Sequence, residues 1–331
     1  MADYTLPSTP VTGDIDSYDL PQYVGELFDL NPGNAVFFSM AGGMNGGRTV
    51  SSREFTWQVD GAEASSAGNV VLENATPTAS AIKRQEIRNV VEIHQEAVEF
   101  GYTAQAVIEQ LATDSANILG DQPVKSPMQH QIDKKINKVK RDLNKSWLSG
   151  SLVNPANNST KRETQGILGA VTTHVRDYTA QSDTSIRDAL NELLIAMFEP
   201  AEEEAVAPAA NEEGTLVLFC GGALKVRLSA DYTNTGLLAP RDRTIGGVAV
   251  DTLVTDFGTI HIVMDRHMPS GTILLADMSV IKPVFLPIPG KGVFFIEPLA
   301  KTGATDKAQL YGEIGLQYGP ETYHGQIVLI T

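Results

Sequence analysis

The sequence predicts an α+β protein, and three observations carry that prediction. Residues 127–149 draw one apolar stripe at helical spacing, residues 55–59 and 87–93 alternate apolar and polar side chains as strands do, and the last stretch, Lys307 to Ile330, alternates again. With 331 residues, 42% apolar and 20% charged, the chain has material for a substantial core and two subdomains.

Residues 1 to about 50 are rich in Gly, Pro, Asp, Ser and Thr and read as an extended arm. The Gly-rich run Ala41 to Thr49 lacks the Gly-Lys-Ser/Thr ending of a phosphate loop, so it reads as a flexible hinge. From Ser51 the pattern becomes strand-like, with Phe55, Trp57 and Val59 at every second place. After a polar loop and the Val70 to Glu73 segment, a second long segment runs from Ile82 to Phe100. Together these form a long two-stranded excursion. An isolated hairpin is marginal in water, so this one is expected to lean on a neighbouring subunit. Tyr102 to Leu119 reads as a helix closed by Gly120.

The segment Ser126 to Gly150 has a start, an interior and a stop that agree. Ser126 suits the N-cap and Pro127 the first helical position. Met128, Ile132, Ile136, Val139, Leu143 and Trp147 then recur at steps of three or four. At 1.5 Å per residue the helix is roughly 35 Å long. Its other face carries Lys134, Lys135, Lys138, Lys140, Arg141 and Lys145 against Asp133 and Asp142, a basic ridge on an acidic protein. Such a ridge is either a solvated face, one paired with acidic neighbours, or a contact for a polyanion or acidic partner. Ser182 to Glu199 is a second amphipathic helix, followed by an acidic, Pro-rich surface loop. Residues 166–180 stay ambiguous between strand and helix. Leu216 to Cys220 reads as a buried strand, Ala223 to Ala230 as a short helix, and Val248 to Thr255 with Thr259 to Asp265 as strands turning at Asp256–Gly258. Ile273 to Ala276 and Val280 to Leu286 are further strands. Lys307 to Tyr318 and Tyr323 to Ile330 read as a closing antiparallel hairpin around Gly319-Pro320.

Composition excludes several function classes. One cysteine forms no intramolecular disulfide and suits a reducing compartment. No apolar run reaches the length of a membrane span, and the N-terminus has no signal-peptide pattern, so neither a membrane nor secretion is expected. A net charge of −15 argues against a free-standing nucleic-acid binder, yet not against a protein that encloses nucleic acid. The six histidines show no zinc spacing, no carboxylate pair marks an acid and base, and no cofactor motif is present, so no metal, cofactor or enzymatic activity is expected. Cys220, between a strand and Gly221-Gly222, faintly echoes a nucleophile turn, but a free cysteine is more often a small buried hydrophobe.

The order of elements, with Asp265, Arg266, Met268 and Pro269, then Glu297 to Gly303, then Gly312 and Glu313, resembles the major capsid proteins of tailed bacteriophages. The resemblance runs from about Ser51 onward and implies the Hong Kong 97 type capsid fold. It implies an N-terminal arm at 1–50, an extended loop at 51–95 lying over an adjacent subunit, and a peripheral domain at 96–154 with a spine helix at 127–149. It implies an axial domain at 155–280, with residues 281–331 returning to the peripheral domain. The implied function is mechanical: copies assemble through hexamers and pentamers into an icosahedral head enclosing double-stranded DNA, in the virion after assembly in the host cytoplasm. Implied partners are other copies, a portal, scaffolding or decoration proteins, and DNA bound without sequence specificity. The residues expected to face a subunit, a scaffold or DNA are Lys134, Lys138, Lys145, Trp57 and Lys83; some relatives crosslink a loop Lys to an Asn, and Lys83 lies in the second arm of the loop, where a solvated lysine is the commoner reading. The competing readings are a cellular nanocompartment shell of the encapsulin type, a cytosolic hydrolase using Cys220, and a phage tail or decoration protein.

Overall fold

The computed structural model describes residues 35–60, 70–76, 84–103, 127–179, 186–199, 215–233, 243–245, 248–301 and 303–330. The first half contains α1 (Val36–Met40), β1 (Arg48–Thr49), β2 (Glu54–Asp60), β3 (Arg84–Val90), β4 (Glu92–Gly101), α2 (Pro127–Ser149), α3 (Ile167–Ala170), β5 (Val175–Thr179) and α4 (Ile186–Phe198). The second half contains β6 (Leu216–Cys220), α5 (Gly222–Thr233), β7 (Arg243–Ile245), β8 (Val248–Thr255), β9 (Gly258–Met264), β10 (Thr272–Asp277), β11 (Lys282–Phe285), β12 (Phe294–Pro298), β13 (Thr305–Gln317), a 3-10 turn at Glu321–Tyr323, and β14 (Gly325–Ile330).

Two sheets and one ribbon organise these elements. The long strand β13 is the axis of a five-stranded sheet: β4 runs antiparallel along one side from Thr305↔Gly101 to Ile314↔Glu92, while β12 and β11 share the other side. The seven-stranded sheet has the order β5-β14-β10-β6-β9-β8-β7. Strands β2 and β3 form the separate two-stranded ribbon.

Period-two alternation decides which core each strand serves. Val217 and Phe219 of β6, with Leu274 and Ala276 of β10, face a large cluster that also holds α1, the α2 stripe and Ile314 and Leu316 of β13. Leu216, Leu218 and Cys220, with Ile273 and Leu275, face the opposite way, under α4. Helix α4 closes that side with Ile186, Leu190, Leu193, Leu194 and Met197, all at most 1% exposed. Along α2, Ile132, Val139, Leu143 and Trp147 are buried as the spacing requires.

Three expectations change. The strands 305–317 and 325–330 do not form a hairpin. β13 pairs with β4, β11 and β12, whereas β14 crosses to the other sheet, antiparallel to β10 and parallel to β5. The 3-10 turn between them is tied down by Glu321, whose carboxylate accepts hydrogen bonds from the backbone and hydroxyls of Thr172 and Thr173 at 2.7–3.4 Å. That tether directs the chain away from β13.

The arm expected over residues 1–50 does not extend that far, because from Ala35 the chain is packed: Phe37 is fully buried and Phe38 is 3% exposed. The Gly-rich run is a tight turn and not a hinge. A Cβ on Gly46 would stand 2.8 Å from Gly42 Cα, so only glycines allow the two backbones to meet. The earlier arm, most of the 102–119 helix, the acidic loop after α4, and Lys83 lie outside the described residues.

Candidate assembly interface

The two-stranded ribbon stands apart from both sheets, and its root shows how it is held. Strands β2 and β3 pair from Glu54↔Val90 to Asp60↔Arg84. Phe55 is buried against Val91 and Val284. Its ring lies so close to β13 that a Cβ on Gly315 would stand 2.9 Å from Phe55 Cε1. Trp57 donates its indole N–H to Gly319 O at 3.0 Å and meets the Tyr318 ring edge-on at 4.9 Å, so its contacts are with its own chain. Burial pushes the Tyr318 hydroxyl up to about 12.

Asn89 fixes the same root from inside. Its amide donates to Gln165 O (3.2 Å) and Leu316 O (2.8 Å), and its carbonyl accepts from the Val90 and Gln165 N–H groups, both at 2.8 Å. With zero exposure, every valence of the amide is used. Sequence reasoning alone misses this residue. The available signal is an asparagine, a poor strand former, inside an otherwise strand-like run.

A second buried junction joins α1, α2 and the turn after β9. Asp265 has no exposure. One of its carboxylate oxygens accepts from Phe37 N–H (3.2 Å) and from the Asn144 amide (2.8 Å), and the other accepts from His267 N–H (2.8 Å). Asn144 in turn accepts from Phe38 N–H at 2.8 Å. These side chains satisfy N–H groups at the start of α1 that no helical carbonyl reaches.

The basic ridge of α2 is partly neutralised within the chain. Glu96 of β4 receives both Lys135, at 2.8 Å, and Lys138. Burial would raise the Glu96 carboxyl, but the two ammonium groups outweigh it and hold it below the usual carboxylate range. The same contact raises Lys138. Lys134 is half-buried and Lys145 is exposed near the helix end.

Beside the ribbon root lies a groove of about 980 Å³, between the C-terminal end of α2, the start of β4 and the 155–163 loop. Buried carboxylates pin this loop. Arg162 pairs with Glu313 at 3.0 Å, Thr164 N–H donates to Glu92 at 3.2 Å, and His94 meets the other oxygen of Glu92 at 2.7 Å. Val153 and Glu163 bridge the loop's ends. Arg53 and Lys145 line the groove, and among the described residues neither has an ion-pair partner.

Cys220 is fully buried in the apolar cluster beneath α4, where a substrate has no access. Among the described residues, no group of three or more His, Cys, Asp or Glu is placed to hold a metal ion, and no helix is long and apolar enough to cross a membrane.

The SU10 major capsid protein family model matches residues 8–331. The chain belongs to this family. No curated protein matches this capsid chain in sequence. Among solved structures, the cyanophage A-1(L) capsid aligns with a TM-score of 0.59 at 10% identity, covering 93% of this chain and 96% of that chain. A Mycobacterium phage Ogopogo structure gives 0.57 at 15% identity over 95% and 98%. The holo-SrpI encapsulin complex of Synechococcus elongatus gives 0.54 at 11% identity over 94% and 91%. At these identities the likeness shows the fold, the Hong Kong 97 type capsid fold. Phage capsids and an encapsulin share it, so the family match and not the fold places this chain among phage major capsid proteins.

Proposed function

We propose that this capsid protein closes into hexamers and pentamers that tile an icosahedral head around double-stranded DNA. The observation that carries the reading is made on a capsid-family chain: the ribbon is rooted by Phe55 and Asn89, and the sequence between its two strands includes Val70, Val71 and Leu72 at 69–85% exposure. Contiguous apolar side chains left uncovered by their own chain mark a surface for another one. Head-to-tail contact between identical chains closes rings when the rotation per subunit divides the circle.

In this reading the five-stranded sheet with α2 is the peripheral unit. The seven-stranded sheet is the axial unit whose loops meet at the ring centre. The net charge of −15 lets packed DNA be enclosed without being gripped, because phosphate binding requires clustered cations. On the α2 ridge, Lys135 and Lys138 are turned to Glu96, which leaves Lys140 and Arg141 for an acidic scaffolding segment. Portal and decoration proteins complete the partners.

Negative-stain electron microscopy with size-exclusion chromatography, on the protein alone and with its genomic neighbours, tests the reading. Shells, tubes or rings of five or six are expected. A stable monomer or dimer under every condition overturns it.

A further inference from the structure

We propose that the cleft between β2 of the ribbon and the β1–β11 edge of the five-stranded sheet is a phosphate-binding site, in which Arg48 and Lys282 hold the phosphate oxygens. The site lies within one chain and does not depend on how copies assemble.

Strand register brings the two cations together. A Cβ on Gly47 would stand 2.6 Å from Pro283 O, so only glycine lets the chain enter β1 this close to β11. The two strands then run parallel, with Arg48 beside Val284 and Thr49 beside Phe285, and Val50 N–H donates to Phe285 O at 2.8 Å. Aligned residues of neighbouring strands share a face, and so do residues two apart on one strand. Arg48 therefore lies on the face of Val284, as does Lys282, and Lys282 is directly opposite Gln317 of β13. This is the face the ribbon covers, because Val284 packs on Phe55. Arg48, Lys282 and Gln317 thus come from three adjacent strands and line one cleft of about 500 Å³.

The ribbon supplies the opposite wall. Trp57 lines the cleft and is held by its indole N–H bond to Gly319 O, so the wall is in place before a ligand arrives.

Among the described residues, neither Arg48 nor Lys282 has an ion-pair or hydrogen-bond partner, and no Asp or Glu lines the cleft. The ribbon's carboxylates are already engaged, Glu54 by Arg88 at 3.6 Å and Asp60 by Arg84 at 3.8 Å. On a chain of net charge −15, two cations and an amide without an acid are a local reversal of sign. Such a donor set matches a group with several anionic oxygens. A guanidinium binds two phosphate oxygens as a fork and an ammonium adds a point charge, whereas a single carboxylate would use one of the two cations. Free phosphate and the phosphodiester of DNA share this chemistry. A two-cation site is a local contact and leaves the rest of the acidic surface without a grip on DNA.

The test titrates inorganic phosphate into the full-length protein at constant ionic strength, with equilibrium dialysis and tryptophan fluorescence as readouts, Trp57 being the reporter in the cleft. Saturable binding of one phosphate per chain is expected, weakened at least tenfold in the Arg48→Gln, Lys282→Gln double variant. Arg48→Lys with Lys282→Arg keeps both charges and should retain binding, which separates the loss of charge from a loss of fold. A short DNA duplex then distinguishes the sources. If it displaces the phosphate, with a salt dependence whose slope falls by about two in the double variant, the site takes the DNA backbone. If it does not, the site takes free phosphate. No saturable phosphate binding by the unaltered protein, or equal binding by the folded double variant, overturns the proposal and leaves the capsid reading intact.

Discussion

Lowering the pH from about 6.5 to about 4 is expected to remove about 3 kcal/mol of folding stability through His324. This imidazole is fully buried between the two sheets' closing segments. Its Nε2–H donates to Tyr318 O at 2.6 Å, and its Nδ1 accepts the Asp277 N–H at 3.2 Å. Both nitrogens are therefore used in the neutral ring, and a second proton on Nδ1 would point at a donor. Burial, acting against the Tyr318 carbonyl and the Asp277 and Glu321 carboxylates, lowers the pKa from 6.5 to about 4.

The native ring thus stays neutral while the unfolded chain takes up a proton, so stability is full above about 6.5 and falls as pH drops toward 4. One proton corresponds to about 1.4 kcal/mol per pH unit, which over this window gives about 3 kcal/mol. The lowered carboxyls of Glu321 and Glu96 lose their contributions further down, as pH falls below the ordinary value of 4.5. Urea unfolding of dissociated subunits, followed by the fluorescence of the buried Trp147, measures the slope from pH 8 to 4.5. His324→Gln should flatten it by about one proton, whatever its stability at pH 8. An unchanged slope in that variant would show that His324 is not the group responsible.

Three further outcomes follow from the ribbon root and the buried thiol. Gly315→Ala places a Cβ 2.9 Å from the Phe55 ring and 3.0 Å from Val90 O, so the unfolding midpoint should fall by the equivalent of about 1–3 kcal/mol. Asn89→Leu leaves the buried backbone groups of Gln165 and Leu316 without partners; a loss of about 3 kcal/mol is expected, together with faster proteolysis of the ribbon. Cys220 should react with a thiol reagent only at the rate of unfolding, and rapid labelling of native protein would reopen the hydrolase reading.

Local periodicity makes several elements legible from the order of residues alone. The α2 stripe, the buried face of α4 and the two-sided alternation of β6 each depend on neighbours three, four or two residues away, and the burial of Leu143, Leu193 and Phe219 follows from that spacing. The β8–β9 turn is equally local, with Thr255 paired to Gly258. Alternation, however, states which face of a strand is buried and not which strand lies beside it. Hence β13 and β14 resemble partners in the sequence, while Thr305 in fact pairs with Gly101 and Thr272 with Val328.

What only the tertiary structure decided are contacts whose two halves lie far apart in the chain. The five residues of α1 are too few to hold a helix by propensity, and they do so because Asp265 and Asn144, 228 and 106 positions away from the N–H groups they accept, complete its first turn. Asn89 is buried because Gln165 and Leu316 meet it there, and Glu96 neutralises Lys138 across a gap of 42 residues. The sequence by itself determined the class, the helices α2 and α4 and the faces of the strands. The sheet partners, the packing of residues 35–41 and the groove at the ribbon's foot came from long-range pairing, which one sequence does not encode locally.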